Sequence, residues 1–260
     1  MSISAPDDTL PCYEEPIRRM SVGAEVQPGG GAHFRVWAPE SVVVEVITTT
    51  GQIEPLQSES DGYFSGCLAD ASAGTQYLMR LDRGRWEGPD PASRFQPAGP
   101  RGPSVVVDPR SFRWTDDAWP GLSTRGQVLY EMHIGTFTTE GTWQSARQQL
   151  PALAELGITA IELMPITEFP GEFGWSYDGS HLFAPSRLYG SPDDFRQFVD
   201  SAHHLGIGVL MDVVYNHLGA VGERLLRSFS DHYFSRRHET EWGAALNYDG
   251  PHAREVRQFI

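Results

Sequence analysis

The sequence predicts an immunoglobulin-like β-sandwich followed by parallel α/β units, and two observations carry that prediction. From about residue 21 to 110, short alternating or β-branched runs are separated by turn residues, with no helical period anywhere. From 127 onward, strand-like and helix-like segments alternate.

In the first region, Ala32-His33-Phe34-Arg35-Val36-Trp37 alternates, Val42 to Ile47 is β-branched, and Gln76 to Leu81 alternates again. Asp61-Gly62 and Gly29-Gly30-Gly31 mark turns between them. Residues 1 to 20 are polar and Pro-containing and are expected to form a disordered tail. A Pro- and Gly-rich stretch opens at Pro89 and passes into a linker over 111–126.

In the second region, Val128 to Ile134 reads as a strand. Thr142 caps a helix whose apolar face is Trp143, Ala146, Leu150, Leu153 and Leu156, and Gly157 ends it. Pro151 is expected to kink or divide that helix. Ile158 to Met164 is the second strand. Ser191-Pro192-Asp193-Asp194 opens the next helix, with Pro in its first turn and carboxylates at the positive end of its dipole. Gly206 ends that helix, and Ile207 to Val214 is a third strand, apolar apart from Asp212. Pro251 starts a further helix with Val256, Phe259 and Ile260 on its apolar face. A doubly wound sheet and a (β/α)8 barrel both fit this order. Residues 127–260 are about half of the ~250 that a full barrel takes, so a truncated fold with an exposed apolar face is expected.

Composition narrows the partners. A formal charge of −14 opposes binding to nucleic acid or an anionic membrane, and a neutral sugar is indifferent to it. The N-terminus has neither a basic nor an apolar signal region, and no apolar run is long enough to span a bilayer. Cys12 and Cys67 are the only cysteines and are expected to be free thiols in a cytoplasmic protein.

Ligands of α/β folds bind at the carboxyl ends of strands. There the sequence places Glu131 and His133, then Glu162 with Glu168 beyond it, then Trp175-Ser176-Tyr177-Asp178-Gly179, and finally Asp212 to His217. Glu131 and Glu162 also fit structural ion pairs, and His133 fits a hydrogen-bonded interior residue. Two aromatics between Gly and Asp suit a sugar platform, because pyranose faces stack on rings. Asp212 in an apolar strand must be paired or solvated, since burying it alone costs several kcal/mol. No spacing identifies the two carboxyl groups that glycoside hydrolysis needs. His203-His204 has no metal-type partner and reads as surface. No phosphate loop and no cofactor or metal site is expected. Trp37, Trp86 and Trp114 are candidate platforms if the sandwich itself binds glycans.

Asp212-Val213-Val214-Tyr215-Asn216-His217 resembles the first conserved motif of the α-amylase clan, at the end of the third strand of a (β/α)8 barrel. Phe34 to Pro39 is similar to the signature of the clan's N-terminal β-sandwich, Ala160 to Pro165 to its second strand, and Trp175 to Gly179 to the loop that follows. Asp90 to Pro97 with Gly102-Pro103-Ser104, Tyr130 to Phe137, and Trp242 to Gly250 resemble the malto-oligosyltrehalose trehalohydrolase family.

The resemblance implies a 21–110 sandwich module and the first three βα units of a (β/α)8 barrel over 127–260. It implies hydrolysis of the α-1,4 bond next to trehalose in maltooligosyl trehalose, with α-glucan branching or debranching, or glycan binding without catalysis, as alternatives. Tyr177 would stack on the glucose at the cleaved bond, His217 would hydrogen-bond it, and Asp212 would orient the site's network. Asp178, Asn216 and His133 stand behind them. Asn216 binds calcium in many amylases, but no calcium site is expected in this subfamily. The nucleophile and the acid/base are expected beyond Ile260, so these 260 residues alone are expected to be inactive. Ala220 to Arg227 departs from the family's usual stretch after the histidine, which puts fine specificity in doubt.

Overall fold

The computed structural model describes residues 16–260. Nine strands come first: β1 (Gly23–Val26), β2 (Ala32–Trp37), β3 (Val44–Thr48), β4 (Ile53–Pro55), β5 (Gln57–Ser58), β6 (Tyr63–Leu68), β7 (Gln76–Leu81), β8 (Trp86–Gly88) and β9 (Ser104–Val105). They form two antiparallel sheets, ordered β1-β2-β6-β5 and β4-β3-β7-β8, with β9 added beside β7. Alternation sends Phe34 and Val36 from one sheet, and Val44, Val46, Met79 and Leu81 from the other, into a common core. Phe34 meets Tyr77 edge to face at 4.8 Å. The expected Asp61-Gly62 turn is left-handed at both residues, and a Cβ on Gly62 would lie 2.5 Å from that of Pro39.

Residues 17–20, assigned to the tail from sequence, are bonded to this module. Ile17 N donates to Gln27 Oε1 at 3.1 Å, and Arg18 Nη2 donates to the Gly23 carbonyl at 2.9 Å. Residues 1–15, including Cys12, lie outside the described residues. Cys67 is disulfide-bonded, which corrects the expectation of a free thiol and removes the cysteine argument for a reducing compartment.

The second half comprises β10 (Leu129–Met132), α1 (Ile134–Phe137), α2 (Trp143–Glu155), β11 (Ala160–Leu163), β12 (Thr167–Glu168), β13 (His181–Pro185), α3 (Pro192–His204), β14 (Gly208–Met211), α4 (Ala220–Phe229), β15 (Phe234–Thr240), β16 (Gly243–Leu246) and α5 (Ala253–Phe259). Strands β10, β11 and β14 form a parallel sheet in that order, in the register Glu131↔Glu162↔Leu210.

One face of this sheet, with Ile161 and Leu163, shares a core with α2 and α3. The opposite face is open, and Leu129 and Leu210 on it are about half exposed. The sequence predicts such an exposed apolar face. β14 has a single neighbour; its Val209 packs against the α2–α3 core, while Leu210 and Met211 are each about half exposed.

Helix α2 begins with the expected Thr142 cap, which accepts from Ser145 N at 3.2 Å. It runs undivided through Pro151, contrary to expectation. Its face of Trp143, Ala146, Leu150 and Leu153 is buried against the sheet, and this packing outweighs one lost backbone bond. Ser191 caps α3 as expected. Near its end, Asp200 accepts from Thr115 N at 2.8 Å, and His203 stacks on Trp119 at 4.7 Å. The histidine pair read as surface thus holds the 111–126 segment.

The sandwich core does not stop at the sandwich. Leu225, Leu226 and Phe229 of α4, and Val256 and Phe259 of α5, are buried in the same cluster. Trp37 packs on Tyr233, and Trp86 on Phe229, each at 4.9 Å. Trp37 is fully buried and offers no open sugar platform, and Trp86 is partly buried with its ring against Phe229. Trp114 remains 41% exposed, beside Phe112. The 89–103 segment crosses between the halves through buried polar groups. Tyr77 Oη donates to Asp90 Oδ2 at 2.7 Å, and Gln96 meets His181 Nε2 of β13 at 3.3 Å. Burial alone holds the His181 imidazole down to about 3. Among the described residues no helix is long and apolar enough to cross a membrane.

Candidate functional site

Strands β12 and β13 pair antiparallel and enclose the loop that carries Trp175 to Gly179. Thr167 Oγ1 donates to Ser176 O at 3.2 Å, and Ser180 N donates to Glu168 O at 2.7 Å, so both ends of the loop are tied. Ser176 takes the left-handed conformation with φ of 62°, uncommon for a residue with a side chain. On either side of it, Trp175 is 59% and Tyr177 40% exposed. Glu168 is not part of an open site. It is fully buried and paired with Arg187, and burial pushes its carboxyl above the usual range against the pull of that arginine.

The end of the third strand approaches this loop. Asp212 N donates to Leu163 O at 2.9 Å, continuing the ladder one bond past β14. Tyr177 Oη donates to Asp212 Oδ2 at 3.0 Å. Burial, then the bond to Asp212 and its charge, then the charges of Glu131 and Glu162, push the Tyr177 phenol above its ordinary value. The two loops touch at glycines. Gly219 N donates to Gly179 O at 3.1 Å, and a Cβ on Gly219 would lie 2.3 Å from the Asp178 carbonyl oxygen.

His217 is 4% exposed. Its Nδ1 lies 3.1 Å from Asn216 Oδ1, an acceptor, which assigns the hydrogen to Nδ1. Its Nε2 is buried and has no protein partner among the described residues. Such an atom marks a place for a ligand or an ordered water. The β15–β16 hairpin closes the side of the site. Leu246 N donates to Asn216 O at 3.1 Å, and Trp242 at the hairpin tip lies 5.9 Å from the His217 ring and is 65% exposed.

Tyr177, Asp178, Asp212, Asn216 and His217 therefore line one cleft of about 740 Å³, together with Phe173, Trp175 and Trp242. Its polar groups sit beside exposed rings, an arrangement suited to a neutral polyhydroxylated ligand with apolar faces. His133 is outside this lining. It borders a neighbouring depression, and both its nitrogens are engaged by Thr136, Gly174 and Tyr189. Sequence reasoning missed Phe173 and Trp242 as lining residues. Trp242 between Glu241 and Gly243 carried a signal, an aromatic next to a glycine that turns the chain.

A model of the α-amylase catalytic domain family matches residues 106–246, more than half of the chain. A malto-oligosyltrehalose trehalohydrolase of Saccharolobus solfataricus is 42% identical over 230 residues, covering 88% of this chain and 40% of that protein. One from Deinococcus radiodurans is 43% identical over 237 residues, covering 91% and 39%. The solved structure of a putative α-amylase from Salmonella typhimurium is similar with a TM-score of 0.87 and 42% identity, over 93% of this chain and 40% of that one. The chain thus spans about two fifths of the length of these relatives. Its three parallel βα units are of the barrel kind found in such catalytic domains, and the chain belongs to the α-amylase family.

Proposed function

We propose that these residues form the substrate-binding part of a glycoside hydrolase that cleaves the α-1,4 bond next to trehalose in maltooligosyl trehalose and releases trehalose. The observation that carries this reading is the buried, unpartnered Nε2 of His217 beside the Tyr177–Asp212 pair, on the floor of an aromatic cleft. With its hydrogen on Nδ1, His217 presents Nε2 as an acceptor for a sugar hydroxyl. Tyr177 offers a ring face for the pyranose. Asp212, held by Tyr177, supplies a fixed acceptor, and Asp178 and Asn216 border the same ligand. The identity to two malto-oligosyltrehalose trehalohydrolases supports the choice of substrate.

In this reading, residues 21–110 are an immunoglobulin-like sandwich module, 111–126 a linker, and 127–260 the first three βα units of the barrel. His133 acts by bracing the neighbouring loop. The nucleophile and the acid/base come from polypeptide outside these 260 residues. Titration of the purified chain with maltooligosyl trehalose, followed by assay for free trehalose, tests both parts. Binding that His217→Ala weakens, without trehalose release, is expected. Equal binding by that variant would overturn the site, and trehalose release would overturn the placement of the chemistry. Tighter binding of branched glucan would favour a branching or debranching enzyme.

A further inference from the structure

None of the residues 89–103 lines the Tyr177 cleft, yet this segment reaches the base of the loop that carries Tyr177. It does so through Gln96, which is fully buried. On one side of the Gln96 amide stand the carbonyl oxygens of Gly102 at 3.0 Å and of Gly99 and Pro103, each at 3.2 Å. Carbonyls only accept, so the amide nitrogen faces them and Oε1 points the other way. There Oε1 accepts from Ser104 Oγ at 2.9 Å and from His181 Nε2 at 3.3 Å. Ser104 Oγ accepts in turn from Asp90 N at 3.0 Å, and Asp90 holds Tyr77. A chain of buried hydrogen bonds thus runs from β7 of the sandwich to β13.

His181 is one foot of the loop. It stands opposite Glu168 in the β12–β13 pair, and residues 169–180 form the loop between them. Arg187 grips the other foot. Its Nη1 donates to Phe169 O at 3.4 Å and its Nη2 to Gly171 O at 3.1 Å, besides its pairing with Glu168. A Cβ on Gly99 would lie 3.5 Å from Arg187 Cζ, so the turn at Gly99 rests against that guanidinium. Residues 96–102 therefore seat both feet, Gln96 on His181 and Gly99 on Arg187.

The tip of the loop is exposed, and an exposed loop with few buried contacts opens easily unless its base is fixed. Apparent affinity falls in proportion to the fraction of molecules in which the binding geometry is present. Here that geometry is the approach of Tyr177 to Asp212. We infer that Gln96 is a positioning residue of the sugar cleft. Through His181, the sandwich holds the 169–180 loop where Tyr177 meets Asp212, a role that rests on the reading of that cleft as a glucan site.

Gln96→Leu keeps the bulk of the side chain and removes its bond to His181. Circular dichroism checks that the variant folds, and titration with maltotriose reads its affinity. A loss of about three- to tenfold is expected, as for a binding geometry present in a third to a tenth of the molecules. In a Tyr177→Ala background the same substitution should change affinity by less than about twofold, because the ring it positions is gone. No loss in the chain that keeps Tyr177, or equal losses in the two backgrounds, would overturn the positioning role and leave the cleft intact.

Hydrogen exchange of the unmodified chain gives a second measurement that needs no substitution. The Gly99 and Gly102 amides donate to Gln96 O and Gly99 O, and that of Gly51, in a remote sandwich turn, donates to Thr48 O. Saturation with maltotriose should slow exchange at Gly99 and Gly102 by about threefold or more and leave Gly51 unchanged. Binding without slowing at Gly99 and Gly102, or with equal slowing at Gly51, would overturn the role. No maltotriose binding by the unmodified chain would overturn the reading of the cleft, and the role of Gln96 with it.

Discussion

Tyr177 and Asp212, 35 residues apart in the chain, meet through a hydrogen bond of 3.0 Å between phenol and carboxylate. The bond joins the β12–β13 loop to the end of β14, and it holds a stacking ring and a hydroxyl acceptor in one relative position. Tyr177→Phe keeps the ring and removes the donor, so glucan affinity should fall about three- to tenfold. Tyr177→Ala should cost more, because the ring face goes too. Titration with maltotriose checks both, and equal losses for the two variants would show that the ring does not stack.

The approach of the same two loops depends on Gly219. A Cβ there would sit 2.3 Å from the Asp178 carbonyl oxygen, a backbone atom with no room to withdraw. Gly219→Ala should destabilise the chain by about 1–3 kcal/mol, read by urea denaturation, and should weaken glucan binding beyond that of Tyr177→Phe. A neutral effect on both would mean that the loops separate easily.

Glu168 is fully buried and depends on Arg187, whose backbone N also donates to Glu168 Oε2 at 2.9 Å. Arg187→Ala leaves a buried carboxylate without its counter-charge and should cost about 3–5 kcal/mol at pH 7. Burial already raises this carboxyl, and losing the arginine raises it further. The variant's folded state then holds a proton that the unfolded state releases, so the deficit should shrink as pH falls toward 5. Denaturation at both pH values measures it, and a pH-independent deficit would point to lost packing instead.

His33 and His181 both resist protonation. Burial first, and the Arg18 charge next, bring His33 from 6.5 to about 4, and burial brings His181 from 6.5 to about 3. Below pH 6.5 the unfolded chain takes up protons that the folded one refuses, so stability is lost as pH falls from 6.5 toward 4. Below 4 only His181 continues the trend, down to about 3. The slope should approach ~1.4 kcal/mol per pH unit for each histidine. His181→Asn should flatten the profile by its share, and an unchanged profile would mean that His181 stays accessible to protons when folded.

The strand at Ala32–Trp37, the strand at Gln76–Leu81 and the capped starts of α2 and α3 were legible because they depend on alternation, helical period and caps, which are local. Pro151 misled for the same reason. The local rule counts one missing hydrogen bond, whereas α2 is held by the packing of Trp143, Leu150 and Leu153 against a sheet the rule does not see. Helix α4 and the β15–β16 hairpin were not singled out from sequence, although α4 places Leu225, Leu226 and Phe229 on one face and Trp242 stands before a glycine that turns the chain.

At the site, a carboxylate in an apolar strand and two aromatics beside glycine were enough to single out Asp212, Trp175 and Tyr177, and resemblance added His217. Their convergence on one cleft, the diversion of His133 into bracing Gly174 and Trp175, and the burial of Glu168 against Arg187 were decided only by tertiary structure. So was the extension of the sandwich core through α4 and α5. The sequence by itself determined the elements with a local signature, such as β2, β7 and the capped starts of α2 and α3, and which side chains have chemistry to offer, because those properties belong to short stretches of chain. Which of these side chains meet depends on how closely distant backbones approach, as at Gly179 and Gly219, and that distance is set by the packing of the whole molecule.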